Sequence, residues 1–445
     1  MNKRKWEVVG TEGEVPVIVL LLAWISANEV WPEPFIENLA YQVAVNASRT
    51  RGRLAAAPAI SNLFQVCSTW RAISRSNPLW RNLTRQIWGV DNLVHNTWRD
   101  EYVYRHCTAY NFRISNAVYT RLNFDDCDNN ALACRCLALS DLHLACGFDD
   151  GSVRLFDLSS RLHVSTFHPH QRDRLGPFSR AVSGIILTDS KLVFASLDGD
   201  IHVVIINGPG PRRAHLGNMM IDGTLVDFTG CRRWWVGLYA AVPGRSFHVW
   251  DDETEELVFV GGTLTDPEAL LGWRLLTELT EPLGRVRVSN RDIAVACTGV
   301  RVMAFDLQNL GLVLNEEEVE RGVVVSSVDV SHDLFLVVDN RRVASVRRVD
   351  NFEEVCTFTV RGGGGGGGGG SGGVRRGAMI GCINGGCIFI CTGGIIRVWD
   401  VQHGQFLYNM SQRIGDPTAL IANERHVAAS SSVDATIHLW DYSAI

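Results

Sequence analysis

Two periodicities, one ending near residue 119 where the other begins, predict an α+β multidomain chain: a small all-α domain followed by an all-β, seven-bladed β-propeller. Before that point apolar side chains recur at three- and four-residue steps, as on one face of a helix. After it, short strands rich in Val, Ile and Phe alternate with glycine-bearing turns, and one strand ending repeats seven times. The composition suits packed domains, with 46% hydrophobic and only 20% charged residues, and 13 Trp among 445 positions. A net charge of -6 argues against coating nucleic acid and makes a protein the better partner.

In the front part, Trp31-Pro32-Glu33-Pro34 opens an apolar-periodic run through Phe35, Leu39 and Val43. Proline in a first turn loses no hydrogen bond, and acidic residues suit a helix N-terminus. Arg49 to Arg53 breaks the run. A second run, Leu54 to Ile60, leads into Leu63, Val66, Trp70 and Ile73, spaced to share one helix face. Asn77-Pro78 stops that helix, and Leu79-Trp80 opens the next, striped by Leu83, Ile87 and Trp88. Trp98, Tyr102, Tyr104 and Phe112 extend the aromatic packing. Most of the tryptophans read as the core of this small bundle.

The repeated ending of the second part is a small turn residue, an alternating strand and, in most copies, a final Asp. It runs Gly151 to Asp157, Gly199 to Val204, Ser246 to Asp251, Val300 to Asp306, Val343 to Asp350, Gly394 to Asp400 and Ala435 to Asp441. Roughly 325 residues divided among seven copies leaves about 46 each, near the ~40–45 of a WD-type blade. Each ending is expected to finish the third strand of its blade. Little chain follows Asp441, so Thr120 to Phe124 is placed to supply the last outer strand and close the ring, removing an exposed sheet edge. The strands before the endings, such as Leu142 to Gly147 and His426 to Ser430, carry Ala, Cys and Ser suited to tight packing between blades. The repeated Asp residues read as turn residues, not general bases.

No constellation points to catalysis: there is no HExxH, and the Gly-x-Gly runs lack a dinucleotide context. No catalytic residue, cofactor or metal is expected. Most of the 12 cysteines sit in apolar runs and read as buried free thiols of a reducing compartment. Cys382, Cys387 and Cys391 lack a CxxC spacing, and strand alternation is expected to split them between faces. Val15 to Ile25 resembles a short signal-peptide core, but Glu7, Glu12 and Glu14 spoil its basic start and it is too short to span a bilayer, so neither secretion nor a membrane partner is expected. Segment 361–374, with its run Gly362 to Gly370, is expected to be a disordered insertion. Two arginine-bearing stretches depart from plain blade text: Arg172, Arg174 and Arg180, then Arg232 and Arg233 beside Trp234-Trp235, with Arg245 following. A guanidinium suits carboxylates and phosphates, and tryptophan gives contact area, so these are candidate parts of a substrate-binding face. Blade scaffolding is the competing reading, above all for Trp234 and Trp235.

Val66-Cys67-Ser68-Thr69-Trp70-Arg71-Ala72-Ile73, followed by Pro78-Leu79-Trp80-Arg81-Asn82-Leu83, resembles the second half of an F-box. Trp31 to Leu39 resembles its first half, with Trp31 where Leu is commoner and a longer stretch, Val43 to Ala59, between the halves. Tyr41 to Ser48, Leu54 to Pro58, Thr97 to Glu101, Val226 to Cys231 and Phe259 to Glu268 look like the plant Sterile Apetala family, and the similarity runs from about Glu29 to the C-terminus. The resemblance implies a variable segment 1–28, an F-box helical domain 29–90, a helical linker 91–118 and a WD-repeat propeller 119–445. It implies a nuclear (alternatively cytoplasmic), non-catalytic substrate-recognition subunit of a Skp–cullin–F-box ubiquitin ligase. Such a subunit regulates transcription in flower and organ development, with transcriptional repressors among its protein substrates and no direct nucleic-acid contact. Pro32, Phe35, Ile36, Leu39, Leu63, Val66, Cys67 and Trp70 would then face the Skp-family adaptor that leads to the cullin. The alternative is a non-ligase WD-repeat scaffold or co-repressor in floral development.

Overall fold

A computed structural model describes residues 31–122, 132–169, 177–240, 242, 244–262, 284–298, 301–320, 323–360, 379–431 and 436–443. The apolar leader, the polyglycine segment, Arg172 and Arg174 lie outside the described residues. The chain forms two compact units, Met1–Thr50 with Ala55–Glu101, and Arg51–Leu54 with Tyr102–Ile445.

In the first unit, α1 (Glu33–Arg51) begins after Pro32, whose carbonyl accepts the Phe35 N–H at 3.0 Å. It buries Ile36, Ala40, Ala44, Val45 and Ala47, a stripe of mostly small side chains at helical spacing. The expected single helix through Leu63, Val66, Trp70 and Ile73 is instead two, α2 (Ala56–Phe64) and α3 (Ser68–Ile73). Short-range bonds from Gln65 N to Asn62 O and from Val66 N to Leu63 O tighten the last turn of α2. Cys67 is fully extended, φ -159° and ψ 177°, and Ser68-Thr69 begin a fresh helix. The break leaves Leu63 and Ile73 in the core but Val66 63% exposed. α4 (Asn77–Trp88) has the Ser76 hydroxyl as its cap, accepting from Leu79 N at 3.3 Å, and ends on Gly89 at φ 66°, a conformation glycine adopts freely. It buries Leu79, Trp80, Leu83, Thr84, Ile87 and Trp88. α5 (Trp98–Ile114) crosses from this unit to the next at Tyr102.

The second unit is seven four-stranded antiparallel sheets. Blade one is β2 (Cys134–Leu139), β3 (His143–Phe148), β4 (Val153–Asp157) and β5 (His163–Phe167); blade two is β6 (Val182–Leu187), β7 (Lys191–Ser196), β8 (Ile201–Ile205) and β9 (Arg212–His215). Blade three is β10 (Thr224–Gly230), β11 (Trp234–Ala240), β12 (Phe247–Asp251) and β13 (Leu257–Gly261); blade four is β14 (Gly284–Val288), β15 (Ile293–Thr298), β16 (Arg301–Asp306) and β17 (Leu312–Glu318). Blade five is β18 (Val325–Ser331), β19 (Leu334–Asp339), β20 (Val343–Arg348) and β21 (Glu354–Thr359); blade six is β22 (Ile380–Ile383), β23 (Cys387–Thr392), β24 (Ile395–Asp400) and β25 (Phe406–Arg413). All seven repeated endings fall on third strands, as their spacing predicts.

Blade seven takes β26 (Pro417–Ala422), β27 (His426–Ser431) and β28 (Ile437–Asp441) from the chain's end and its fourth strand, β1 (Val118–Leu122), from before blade one. The register runs from Val118 opposite Asp441 to Leu122 opposite Ile437. First strands neighbour one another around a closed circle, with β26 returning against β2. Their approach demands glycine at Gly184, where a Cβ would lie 1.9 Å from the Phe228 carbonyl oxygen. Second strands other than β19 are buried along nearly their whole length, Ala428, Ala429 and Cys146 among them, as small side chains between stacked sheets allow.

In five of the seven blades the repeated Asp ties the turn after the third strand. Asp157 accepts from Ser159 Oγ and Ser160 N, both at 2.6 Å, bonds that lower its carboxyl to about 2. Asp251, Asp306, Asp400 and Asp441 each accept a backbone N–H two or three residues on. The three cysteines expected on separate faces share one: Cys382, Cys387 and Cys391 all enter the core between blades six and seven, with Phe389 and Val398. Cys387 and Cys391 are four residues apart, an even number, so a strand turns both the same way. Burial pushes both thiols up to about 12, leaving them protonated. Among the described residues no group of three or more His, Cys, Asp or Glu could hold a metal ion.

Candidate interaction surfaces

On the helical unit the residues assigned to an adaptor face divide by burial. Pro32, Phe35, Val66 and Cys67 are exposed, Leu39 and Trp70 are half-buried, and Ile36 and Leu63 are packed inside. Ile36 and Leu63 therefore stabilise the unit from within and are not surface anchors. Phe35 is 40% exposed and stacks on Trp31 with ring centroids 4.5 Å apart, a paired aromatic surface that burial inside the unit does not account for.

The propeller has two ends. In a four-stranded meander the turns between strands one and two and between three and four emerge at one end. The remaining turn and the link to the next blade emerge at the other. At the first end Arg53 reaches Glu424, in the β26–β27 turn, at 3.0 Å. Glu424 also accepts from Gly385 N at 2.9 Å and lies 3.1 Å from His332 Nε2, which gathers the corresponding turns of blades five, six and seven. Burial alone would raise the Glu424 carboxyl; Arg53, His332 and the Gly385 N–H outweigh it and hold the group well below the usual carboxylate range. The helix α5 covers the same end. Phe112 stacks on Tyr442 at 3.9 Å and meets Phe389 edge-on at 5.9 Å, its carbonyl accepts the Tyr408 hydroxyl at 2.6 Å, and Asn111 Nδ2 donates to the Tyr442 carbonyl.

Of the arginines proposed from sequence, the four that are described do not form one face. Arg232 and Arg233 occupy the β10–β11 turn at the first end, with Arg233 over the Trp234 ring at 4.7 Å. Arg180 lies in the link to β6 and Arg245 in the β11–β12 turn, both at the second end. Trp234 and Trp235 are buried blade core, as the scaffolding reading has it. Arg245 pairs with Asp222 at 2.6 Å. Sequence reasoning missed Arg53, Glu424 and His332, which come together only in the closed ring.

Against known proteins, no family model matches. The curated "Transcriptional regulator STERILE APETALA" of Arabidopsis thaliana is 54% identical over 428 residues, 94% of each chain. This chain belongs to the Sterile Apetala family. Among solved structures it is similar to U3-55K (8% identity, TM-score 0.52, 73% of this chain and 98% of that one) and to the RRP9 WD40 repeats (9%, 0.52, 73% and 97%). At such identities the likeness shows the propeller fold alone. The Sterile Apetala-family architecture is thus a small helical region followed by a WD-type propeller of seven blades.

For this Sterile Apetala-family propeller the Arg53–Glu424 pair carries a pH-dependent prediction. Glu424→Ala leaves the Arg53 guanidinium and the Gly385 N–H without their acceptor and is expected to cost about 1–3 kcal/mol at pH 7 by urea denaturation. A carboxylate depressed by folding gives its stability above its unfolded value of ~4.3 and loses it in acid. The difference between wild type and variant should therefore hold constant above about pH 5 and shrink below about pH 4. A difference that stays level into strong acid would remove the ion pair from this account.

Proposed function

We propose that this chain is the non-catalytic substrate-recognition subunit of a Skp–cullin–F-box ubiquitin ligase, regulating transcription in flower and organ development. Residues 29–90 serve as the F-box, 91–118 as a helical linker and 119–445 as the substrate-binding propeller. The adaptor docks on Pro32, Phe35, Val66 and Cys67 with Leu39 and Trp70 beneath, and through the adaptor the chain meets the cullin. The observation that carries this reading is the exposed apolar set on the helical unit, Phe35 and Val66 above all, in a chain of the Sterile Apetala family. Because Arg53 and α5 occupy the first end of the propeller, the second end, with Arg180 and Arg245, is the face for protein substrates, transcriptional repressors among them. Its place of action is the nucleus. A second reading, a non-ligase scaffold or co-repressor, draws on the relative's designation as a transcriptional regulator.

The test is titration calorimetry of the full chain with a plant Skp-family adaptor. Sub-micromolar binding is expected, weakened at least ~100-fold by Phe35→Asp with Val66→Asp, since central apolar anchors contribute ~2 kcal/mol or more apiece. Both side chains are already exposed, so circular dichroism should not change. A well-folded wild type that does not bind, or binding indifferent to the double variant, hands the lead to the scaffold reading.

A further inference from the structure

The link from β9 to β10 lies at the second end of the propeller and carries α6 (Met219–Asp222). Its own bonds order it. Asn218 accepts from Met220 N at 3.2 Å and the Gly223 N–H returns to the Met219 carbonyl. Gly217 packs so closely on blade two that a Cβ there would lie 2.2 Å from the Asp198 carbonyl oxygen. Yet Leu216, Met220 and Ile221 are 57%, 92% and 56% exposed. Burying an aliphatic side chain is favourable, and the fold leaves that gain uncollected at three neighbouring positions.

Each flank of this projection is tied through a carboxylate to an arginine. Gly217 N donates to Asp200 Oδ1 at 2.9 Å, while Asp200 Oδ2 accepts from Arg213 at 3.2 Å. On the other flank Asp222 accepts from Arg245 at 2.6 Å. In both pairs the acid is withdrawn and the base shown: side-chain exposure is 2% for Asp200 against 34% for Arg213, and 14% for Asp222 against 37% for Arg245. Solvent thus meets an apolar projection flanked by two ion pairs, each with its guanidinium side outermost.

We propose that this projection is a docking point for an acidic amphipathic helix of a protein partner. The helix sets its apolar face on Leu216, Met220 and Ile221 and its flanking carboxylates near Arg213 and Arg245. The unbranched, polarizable Met220 suits such a seat because it adapts to the face it meets. The proposal rests on the substrate-receptor reading and narrows it, naming the chemistry of the segment the second end takes.

The probe is a fluorescein-labelled 18-residue helical peptide with leucines along one face and glutamates beside them, compared with its lysine counterpart. Anisotropy is read on the full chain in complex with the adaptor. The glutamate peptide should bind at least ten-fold tighter than the lysine peptide, and weaken with salt as exposed charges are screened. Met220→Asp with Ile221→Asp, both at exposed positions, should reduce its binding at least ten-fold. Equal binding of the two peptides, or indifference to the double variant, overturns the proposal. So does self-association of the chain that the same variant abolishes, which would make this a contact between copies. Adaptor binding is scored in parallel. Failure of the peptide on an intact adaptor complex sinks this inference alone, whereas failure to form that complex sinks the receptor reading.

Discussion

Leu122→Asp should cost the propeller at least ~3 kcal/mol and lower its urea midpoint by more than any conservative change along the same strand. Leu122 is 2% exposed and enters the core shared by blades seven and one, with Leu137, Phe148, Phe156, Ile437 and Leu439. It is also the last residue of β1, the strand whose pairing with β28 closes the ring. A carboxylate there loses the transfer energy of the leucine and takes a charge out of water without a partner. Hydrogen exchange should show β28 amides losing protection first, since the Asp breaks the closing pair. Leu122→Met, nearly equal in volume, should cost less than ~1.5 kcal/mol. A midpoint like wild type in the Asp variant would mean that β1 does not hold the ring.

Phe112→Ala should cost about 3–5 kcal/mol, the usual range for deleting a buried aromatic ring. The ring is 3% exposed, and its stacking on Tyr442 and edge contact with Phe389 join α5 to blades six and seven. Aromatic pairs add roughly 0.5–1.5 kcal/mol beyond area, so Phe112→Leu should recover only part of the loss. Urea denaturation followed by tryptophan fluorescence checks both values. A loss below ~1 kcal/mol in the alanine variant would show that α5 contributes little to the propeller.

The blades were legible because their mark is local. An alternating strand ending in Asp encodes both the strand and the turn that the carboxylate ties, and Asp157, Asp251 and Asp441 do this independently of one another. The break between α2 and α3 was not legible. Leu63, Val66, Trp70 and Ile73 keep helical spacing straight through it, and only the extended backbone at Cys67 reveals that Val66 has left the core. The grouping of the arginines was not legible because a stretch of sequence does not announce which end of a blade it occupies, and Arg233 and Arg245 sit on either side of one strand, β11. Arg53 and Glu424 are 371 residues apart, so no window of sequence joins them. Leu216, Met220 and Ile221 read in sequence as ordinary apolar residues; their meaning is their exposure.

The shared seventh blade also sets a timetable for biogenesis. The Tyr119 hydroxyl rests 2.8 Å from His438 Nδ1, 319 residues downstream, so β1 leaves the ribosome long before its partner exists. At roughly 5–20 residues per second, that strand waits on the order of 15–60 s with an unpaired edge. The ring therefore cannot close before β28 has been made. It closes only once β28 has emerged to meet β1, and until then β1 presents an open edge on which neighbouring strands can pair.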